Sequence, residues 1–261
     1  MHSKTPYDSV FRTLVHSRPN SLVWWTAGLP APYHDPQAYM TQWQWRNTLT
    51  ERMRSGMQSL HLKPKWDEFL VFDVDVRATS EKSPEEIRAV LGCTHTASAP
   101  ICANCWPIAQ AACFLADELL TKRFALPKPL TVFSGSGGIH LWYRLFDKSD
   151  PGSEYYADLA IAFSQTNARD SLVDIWAASP LPEALADAIP LYRRADASRW
   201  LPRLDRGVTV GSKHAIRMPF SRNEKTGRYA LPLLHSPLPE WPATDDIDTG
   251  AQRFVEWSEF M

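Results

Sequence analysis

The clearest pattern of apolar and polar residues along the chain lies at 67–76 and predicts a strand that enters a core. An apolar run (69–72) leads into strict alternation, so Asp73 and Asp75 share the face opposite Val74. Two neighbouring carboxylates on a largely buried strand repel each other, and desolvation disfavours both charges. Divalent cations between them would make the arrangement favourable. The alternative is the polar outer face of an edge strand.

Helical and strand patterns alternate along the rest of the chain. Helices are predicted at about 35–60, 80–91, 107–124, 154–167 and 171–189, the last broken near Pro180 and Pro182. Strands are predicted at 130–133, 139–143, 204–210, 214–218 and 229–234, and a last helix follows 237–248 with Thr249 and Gln252 as a capping box. These elements, without internal repeats, predict one α/β (α+β) domain over 1–261, with mixed twisted β-sheets flanked by helices and a small helical segment at about 152–190.

Three of the four cysteines lie beside a histidine in one short segment: Cys93, His95, Cys102 and Cys105. Zinc prefers four such ligands in a tetrahedron, and Cys-x2-Cys spacing lets two thiolates face one ion. The spacing from Cys93 to His95 is tighter than usual for zinc ligands. We expect one structural Zn²⁺ in a knuckle inserted at about 92–106. Buried free cysteines are the alternative, which suits Cys113 on the helical stripe better than the cluster.

A glycine-rich turn, Ser134-Gly-Ser-Gly-Gly-Ile-His140, lies between two predicted strands. It lacks the Lys-Ser/Thr ending and the following helix of a Walker phosphate loop. Backbone N–H groups of such a turn can still converge on a phosphate. Ser134 would add a hydroxyl, and His140 a donor from the next strand. The alternative is a flexible hairpin followed by a core histidine.

Basic residues are concentrated between Arg199 and Arg228, where eight Lys/Arg stand against two acidic residues in a chain of net charge −1. The near-neutral net charge argues against a protein whose whole surface binds polyanions, but it allows a local basic groove. Asp205 is an isolated acid within this basic segment and lies in a predicted strand. A third carboxylate beside Asp73 and Asp75 would complete a site for two divalent ions.

These blocks, in this order, resemble the catalytic small subunit of archaeal and eukaryotic DNA primases. The matching segments are Phe72-Asp-Val-Asp75, Cys102-Ala-Asn-Cys-Trp106 with Cys93 and His95 upstream, Ser134-Gly-x-x-Gly-x-His140, Pro202-Arg-Leu-Asp205, His214-Ala-Ile-Arg217-Met-Pro-Phe-Ser221 and Lys225-Thr-Gly227. The resemblance covers about residues 67–234 and implies a primase catalytic core that carries the zinc knuckle as an insertion.

The resemblance also implies a function and a set of site residues. Asp73, Asp75 and Asp205 would hold two Mg²⁺ or Mn²⁺ ions. The nucleoside triphosphate would contact Ser134, Gly135, Gly138, His140, Lys213, Arg217 and Ser221. The expected reaction is de novo synthesis of short RNA or DNA primers on a single-stranded DNA template. A primase large subunit or another replication protein is a further expected partner.

Two other functions remain open on the sequence. One is a gap-filling or end-joining repair polymerase of the same fold, and the other is a non-catalytic module that binds single-stranded nucleic acid. Eukaryotic primases often carry arginines in the glycine turn, where this chain has Ser136 and Gly137. One expectation is that Lys213, Arg222 or Lys225 supplies that charge. The other is that this chain binds triphosphate more weakly than those primases do.

The sequence contains no run of 18 or more apolar residues, and its first residues lack the apolar core of a secretory signal. We therefore expect no membrane association. The expected location is intracellular: cytoplasmic, or nuclear in a eukaryote.

Overall fold

The computed structural model describes residues 22–26, 58–62, 69–75, 91–93, 101–145, 154–179, 183–194, 202–210, 216–223, 226–234, 236, 238–243 and 246–259, with Asp75 described by its backbone. The strands are β1 (Leu22–Thr26), β2 (Gln58–Leu62), β3 (Phe69–Asp75), β4 (Leu130–Phe133), β5 (Gly138–Arg144), β6 (Arg203–Leu204), β7 (Ile216–Arg217) and β8 (Leu231–Leu233). The helices are α1 (Trp106–Ala116), α2 (Glu154–Ser164), α3 (Thr166–Ala178), α4 (Glu183–Ala188), α5 (Arg206–Val210) and α6 (Ile247–Glu259). Short 3-10 helices lie at Ala103–Cys105 and Pro190–Arg193, and a π-helical turn at Asp117–Lys122 continues α1.

The larger sheet has the strand order β6-β3-β5-β4-β8, and its neighbouring strands are antiparallel. In the β3–β5 ladder Asp73 lies opposite His140, and in the β3–β6 ladder Val74 lies opposite Leu204. Because β3 has neighbours on both sides, the interpretation of 67–76 as an edge strand is wrong. Mixed helices and antiparallel strands are consistent with the predicted α/β class.

One face of this sheet packs against helices to form the core. Phe72 and Val74 of β3 and Tyr143 of β5 belong to the same buried cluster as Leu115 of α1 and Trp176 of α3. Phe72 contacts the Tyr143 ring edge-on at 5.9 Å and stacks on the Trp176 ring at 6.4 Å. Burial of each large apolar side chain contributes on the order of 1.5–3 kcal/mol, so this face holds β3 firmly in the sheet.

The opposite face of the sheet carries the acidic residue of β3. Register places Val71 opposite Trp142 and Asp73 opposite His140, so these four side chains share that face. Val71, Trp142 and His140 are buried, whereas Asp73 is only partly buried. The alternation predicted for 72–75 is therefore confirmed where the side chains are described.

A smaller antiparallel sheet has the order β1-β2-β7. The β2–β7 ladder pairs His61 with Arg217. This pairing joins the first part of the chain, where the sequence shows no motif, to the basic C-terminal third. Arg217 is held by a sheet whose other strands come from residues 22–62.

Several predicted elements differ from the structure. The helix predicted at 35–60 is wrong at 58–60, which belong to β2. The strand predicted at 204–210 is wrong after Leu204, because 206–210 forms α5. Val208, Thr209 and Val210 favour a strand by propensity, but a capping contact from Asp205 starts a helix there.

Helix boundaries in the predicted helical segment also shift. The first helix ends at Ser164 and the second begins at Thr166, while the predicted break near Pro180 separates α3 from α4. The last helix begins at Ile247, because Asp246 caps it through the Thr249 N–H (3.0 Å), so Thr249 is not the cap residue. The following predictions lie outside the described residues: the helices over 35–57 and 80–90, the ligand His95, the nucleotide contact Lys213, and Lys225.

Candidate active site and metal centre

Asp73 and Asp205 lie side by side although they are far apart in the sequence. The β3–β6 ladder pairs Val74 with Leu204. The Asp205 N–H donates to the Asp73 carbonyl oxygen at 2.8 Å, so Asp73 and Asp205 are the next opposed pair in the same register. Residues directly opposed in an antiparallel ladder have Cβ atoms about 4.5–5.5 Å apart on the same face. The two side chains therefore leave the backbone on the same face of the sheet.

Both side chains are open to solvent. The Asp73 side chain is 24% exposed, and Asp205 is exposed. Asp75 lies two residues further along β3, opposite Gly138 on one side and Arg203 on the other. The structure thus brings two of the three predicted acids together and carries the third at the end of the same strand. Carboxylate oxygens are the ligands that Mg²⁺ and Mn²⁺ prefer, so the donor set fits such ions.

Asp205 also begins a helix. Its Oδ1 accepts a hydrogen bond from the Val208 N–H at 3.2 Å, and its carbonyl oxygen accepts one from the Thr209 N–H at 2.9 Å. Side-chain oxygens at this position satisfy an N–H group that the helix cannot pair. A carboxylate offers about four lone-pair positions, so the cap leaves acceptor capacity for a cation. This cap was not predicted from the sequence.

His140 lies across the ladder from Asp73. Its Nε2 is 3.7 Å from Asp73 Oδ1, which is longer than a hydrogen bond, and the residue is 4% exposed. Burial and the positive charge of Arg217 together lower the pKa of His140 to about 3, against an opposing hydrogen bond with the Arg217 backbone. The imidazole is therefore neutral at ordinary pH.

Arg217 brings positive charge to the same neighbourhood from β7. Its Nη1 donates to the Arg222 carbonyl oxygen at 3.2 Å, and its backbone forms a hydrogen bond with the His140 side chain. Ser221 is buried, and its backbone pairs with Met218 and Ala230. The structure therefore places Arg217 beside His140, and the Ser221 backbone shapes the adjoining turn.

The glycine turn is organised by its own serine. Ser134 Oγ accepts the N–H groups of Ser136 (3.3 Å) and Gly138 (3.2 Å), so these two N–H groups already have a partner. Gly135 has φ +74°, and a Cβ there would lie 2.9 Å from the Arg228 carbonyl oxygen. The turn thus requires glycine at 135 for both conformation and space. A phosphate nest in this turn stays a prediction.

Residues 222–223 and 226–228 lie against the glycine turn. The Thr226 hydroxyl donates to the Gly135 carbonyl oxygen, and Arg222 Nε donates to the Gly227 carbonyl oxygen at 2.7 Å. This contact brings the exposed guanidinium of Arg222 near the turn. That Arg222 supplies the charge which eukaryotic primases carry on arginines within the turn stays a prediction.

Three of the four predicted zinc ligands form a cluster. The sulfur atoms of Cys93, Cys102 and Cys105 all lie within 4.8 Å of one another. Burial raises the pKa of Cys105 to about 11 and that of Cys93 well above its ordinary value, and the Cys102 thiol raises both further. A coordinating metal deprotonates such thiols, and its charge offsets the repulsion between the thiolates. The cluster could hold a metal ion such as zinc.

The family model described as DNA primase small subunit matches residues 72–234. The chain belongs to the DNA primase small subunit family. The resemblance predicted from the sequence blocks is confirmed, and the match contains the acidic pair, the cysteine cluster and the glycine turn. At the level of the family, this primase chain is a nucleotidyltransferase that binds DNA and nucleotides. A comparison with proteins of curated function gives no match.

An aromatic cluster that the sequence did not reveal joins the cysteine cluster of this primase chain to the glycine turn. The Trp106 indole N–H donates to the Pro239 carbonyl oxygen at 2.6 Å, and the ring meets Phe133 and Trp241 edge-on at 6.1 and 5.3 Å. The Arg228 guanidinium lies over Phe133, 4.6 Å from the ring centroid. Residues 106, 133 and 228–241 are far apart in the chain, so no local pattern could have indicated the contact.

Among the residues that the structure describes, none of the primase helices combines the length and apolar character that a membrane crossing requires.

Proposed function

We propose that this primase chain synthesises short RNA or DNA primers de novo on single-stranded DNA, with Asp73, Asp75 and Asp205 as ligands of two Mg²⁺ or Mn²⁺ ions. One observation carries the proposal. The hydrogen bond from the Asp205 N–H to the Asp73 carbonyl oxygen (2.8 Å) sets two solvent-accessible acids side by side from distant parts of the chain. A groove that only bound DNA would gain nothing from paired acids, because they repel phosphates.

The proposed reaction is nucleotidyl transfer. The 3′-oxygen of one nucleotide forms a bond with the α-phosphorus of the next, the bond from that phosphorus to the bridging oxygen breaks, and pyrophosphate leaves. The chemistry supplied by the bound cation pair is activation of the 3′-hydroxyl and neutralisation of the developing charge. Asp73 and Asp205 fix the position of that pair, because a sheet ladder and a helix cap restrict both residues.

The triphosphate is proposed to lie between the glycine turn and the basic residues of the C-terminal third. Arg217 and Arg222 offer guanidinium groups that can contact two phosphate oxygens each. Ser134, Gly135, Gly138, His140, Lys213 and Ser221 complete the proposed contact set. His140 acts there as a neutral hydrogen-bonding group, since burial and Arg217 keep its pKa low.

We further infer one structural zinc ion per chain, bound by Cys93, Cys102, Cys105 and His95. The three clustered sulfur atoms support three of these ligands. A site closed by four protein ligands stabilises a loop and takes no part in the chemistry. The proposed organisation is a single catalytic domain over 1–261 that acts with a template strand, nucleoside triphosphates and a large subunit or another replication protein.

The proposal is tested by incubating the chain with single-stranded DNA, labelled ribo- or deoxyribonucleotides and Mg²⁺ or Mn²⁺, without a primer. The parent should form short labelled products, whereas Asp73→Asn should form none and still bind the DNA. Asp187→Asn, which alters an exposed acid on α4, is the matched control and should keep the parent's rate. Products from a primed template but none from the unprimed strand would instead indicate a repair polymerase, and no incorporation on either template would indicate a binding module.

A further inference from the structure

Helix α3 contacts the segment that carries Asp205 on both sides of that residue. The Trp176 indole N–H donates to the Pro202 carbonyl oxygen at 2.9 Å, three residues before the acid. Arg169 Nη2 donates to the Val210 carbonyl oxygen at 2.9 Å, five residues after it. Directly beside Asp205, Arg206 forms ion pairs with two acids of the same helix, Asp170 and Asp174.

The two hydrogen bonds that flank Asp205 are buried. Trp176 is 6% exposed and Arg169 is 1% exposed. The Arg206 pairs are exposed, with 51% of the arginine side chain open to solvent, so water and salt screen them. Among the contacts from α3, those of Trp176 and Arg169 therefore hold this segment most firmly.

Trp176 also touches the strand that carries the other acid. Its ring stacks on Phe72, which directly precedes Asp73, with the ring centroids 6.4 Å apart. One side chain thus contacts both segments whose acids must face each other. Arg169 also links this segment to α2, because its Nη1 donates to the Phe163 and Ser164 carbonyl oxygens at the end of that helix (2.6 and 3.0 Å).

The local structure around Asp205 gives it little support of its own. Strand β6 has two residues, and the helix that follows has five. A functional pair of ligands must be held to within about 0.5 Å of its productive geometry, and rigid supporting residues normally supply that restraint. The long helix α3 is the rigid element in contact with this short segment on both sides.

We propose that Trp176 and Arg169 are positioning residues that set the separation of the Asp73 and Asp205 carboxylates and thereby the affinity for divalent cations. The inference rests on the proposed two-metal site. Neither side chain touches the cations or the nucleotide; both act through the backbone at Pro202 and Val210. Substitution of such supporting residues lowers metal affinity by about 10–100-fold in other metal sites.

The test compares Trp176→Phe with Trp106→Phe. Each variant keeps an aromatic ring and loses one buried indole-to-carbonyl hydrogen bond, at Pro202 and at Pro239 respectively. Mn²⁺ binding to the nucleotide-free chain is measured by electron paramagnetic resonance, and thermal unfolding is measured without divalent metal. We expect about tenfold weaker Mn²⁺ binding for Trp176→Phe, binding within twofold of the parent for Trp106→Phe, and similar losses of thermal stability in both.

A second readout separates positioning from a general structural defect. In primer synthesis, Trp176→Phe should need about tenfold more Mn²⁺ for half-maximal rate and recover the parent's rate at saturation. Equal Mn²⁺ affinity in Trp176→Phe and the parent overturns the inference, as does an equal loss in both variants. If the parent and Asp205→Asn bind Mn²⁺ alike, the proposed metal site itself has failed, and the positioning role falls with it.

Discussion

At the scale of single residues, Asp205 combines two tasks that a substitution can separate. Its carboxylate caps α5 through the Val208 N–H, and it stands beside Asp73 as a proposed cation ligand. Asparagine caps helices about as well as aspartate, but it carries no charge. The side chain therefore offers a way to remove metal binding without removing the cap.

We expect Asp205→Asn to abolish nucleotide incorporation and to keep the parent's free energy of unfolding within about 0.5 kcal/mol, because Asn is an equivalent cap. Asp205→Ala should lose activity and also about 1 kcal/mol of stability. Denaturant unfolding and a primer-synthesis assay on the same preparations check both statements. An active Asp205→Asn variant would show that the carboxylate serves the helix alone.

Gly135 is the residue on which the geometry of the glycine turn depends most directly. Its φ of +74° and the 2.9 Å approach of the Arg228 carbonyl oxygen leave no room for a Cβ. We expect Gly135→Ala to lower the free energy of unfolding by at least about 1–2 kcal/mol and to weaken nucleotide binding, since the turn must move away from 228–229.

The matched control for this variant is Ser136→Ala. Ser136 contributes its backbone N–H to Ser134 Oγ, so loss of its hydroxyl leaves that hydrogen bond in place. Unfolding and nucleotide titration should separate the two variants. Equal stability of Gly135→Ala and Ser136→Ala would mean that the close contact with 228–229 does not constrain the turn.

At the scale of elements, the cysteine cluster leads to a prediction about the metal content of the protein. Metal analysis of the purified chain should give about one zinc per chain, and Cys102→Ser/Cys105→Ser should lose it together with thermal stability, because a bound ion joins the segments at 93 and 102–105. Cys113→Ala is the control. Its thiol is buried in the core, where burial raises the pKa to about 12, and it lies outside the cluster. A zinc-free parent that unfolds cooperatively would refute the assignment.

Helices and strands with a strong local pattern of apolar and polar residues were predictable from the sequence. Very short elements that depend on pairing with distant segments were not. The strand at 69–75, the hairpin strands β4 and β5, and helix α1 follow the periodicity of their own residues. Strands β6 and β7 have two residues each, and they form because they pair with β3 and β2 respectively. Helix α5 forms against the β-propensity of its valines because Asp205 caps it.

At the scale of the whole molecule, the candidate site is assembled by pairing between distant segments. The ladder between β3 and β6 aligns Asp73 with Asp205, and the ladder between β2 and β7 holds Arg217 near His140. Residue types and the order of the motifs were enough to propose which side chains form the site. Their register was not, because a one-residue slip of β6 would leave the same sequence and turn Asp205 to the other face.

The central claim is that the carboxylates of Asp73 and Asp205 share divalent cations, and a crystal structure in Mn²⁺ with a non-hydrolysable nucleoside triphosphate tests it most directly. We expect two anomalous-scattering peaks about 3.5–4 Å apart, in contact with both carboxylates and with the triphosphate oxygens. A saturated crystal with the nucleotide bound and no anomalous peak between these two residues would contradict the account.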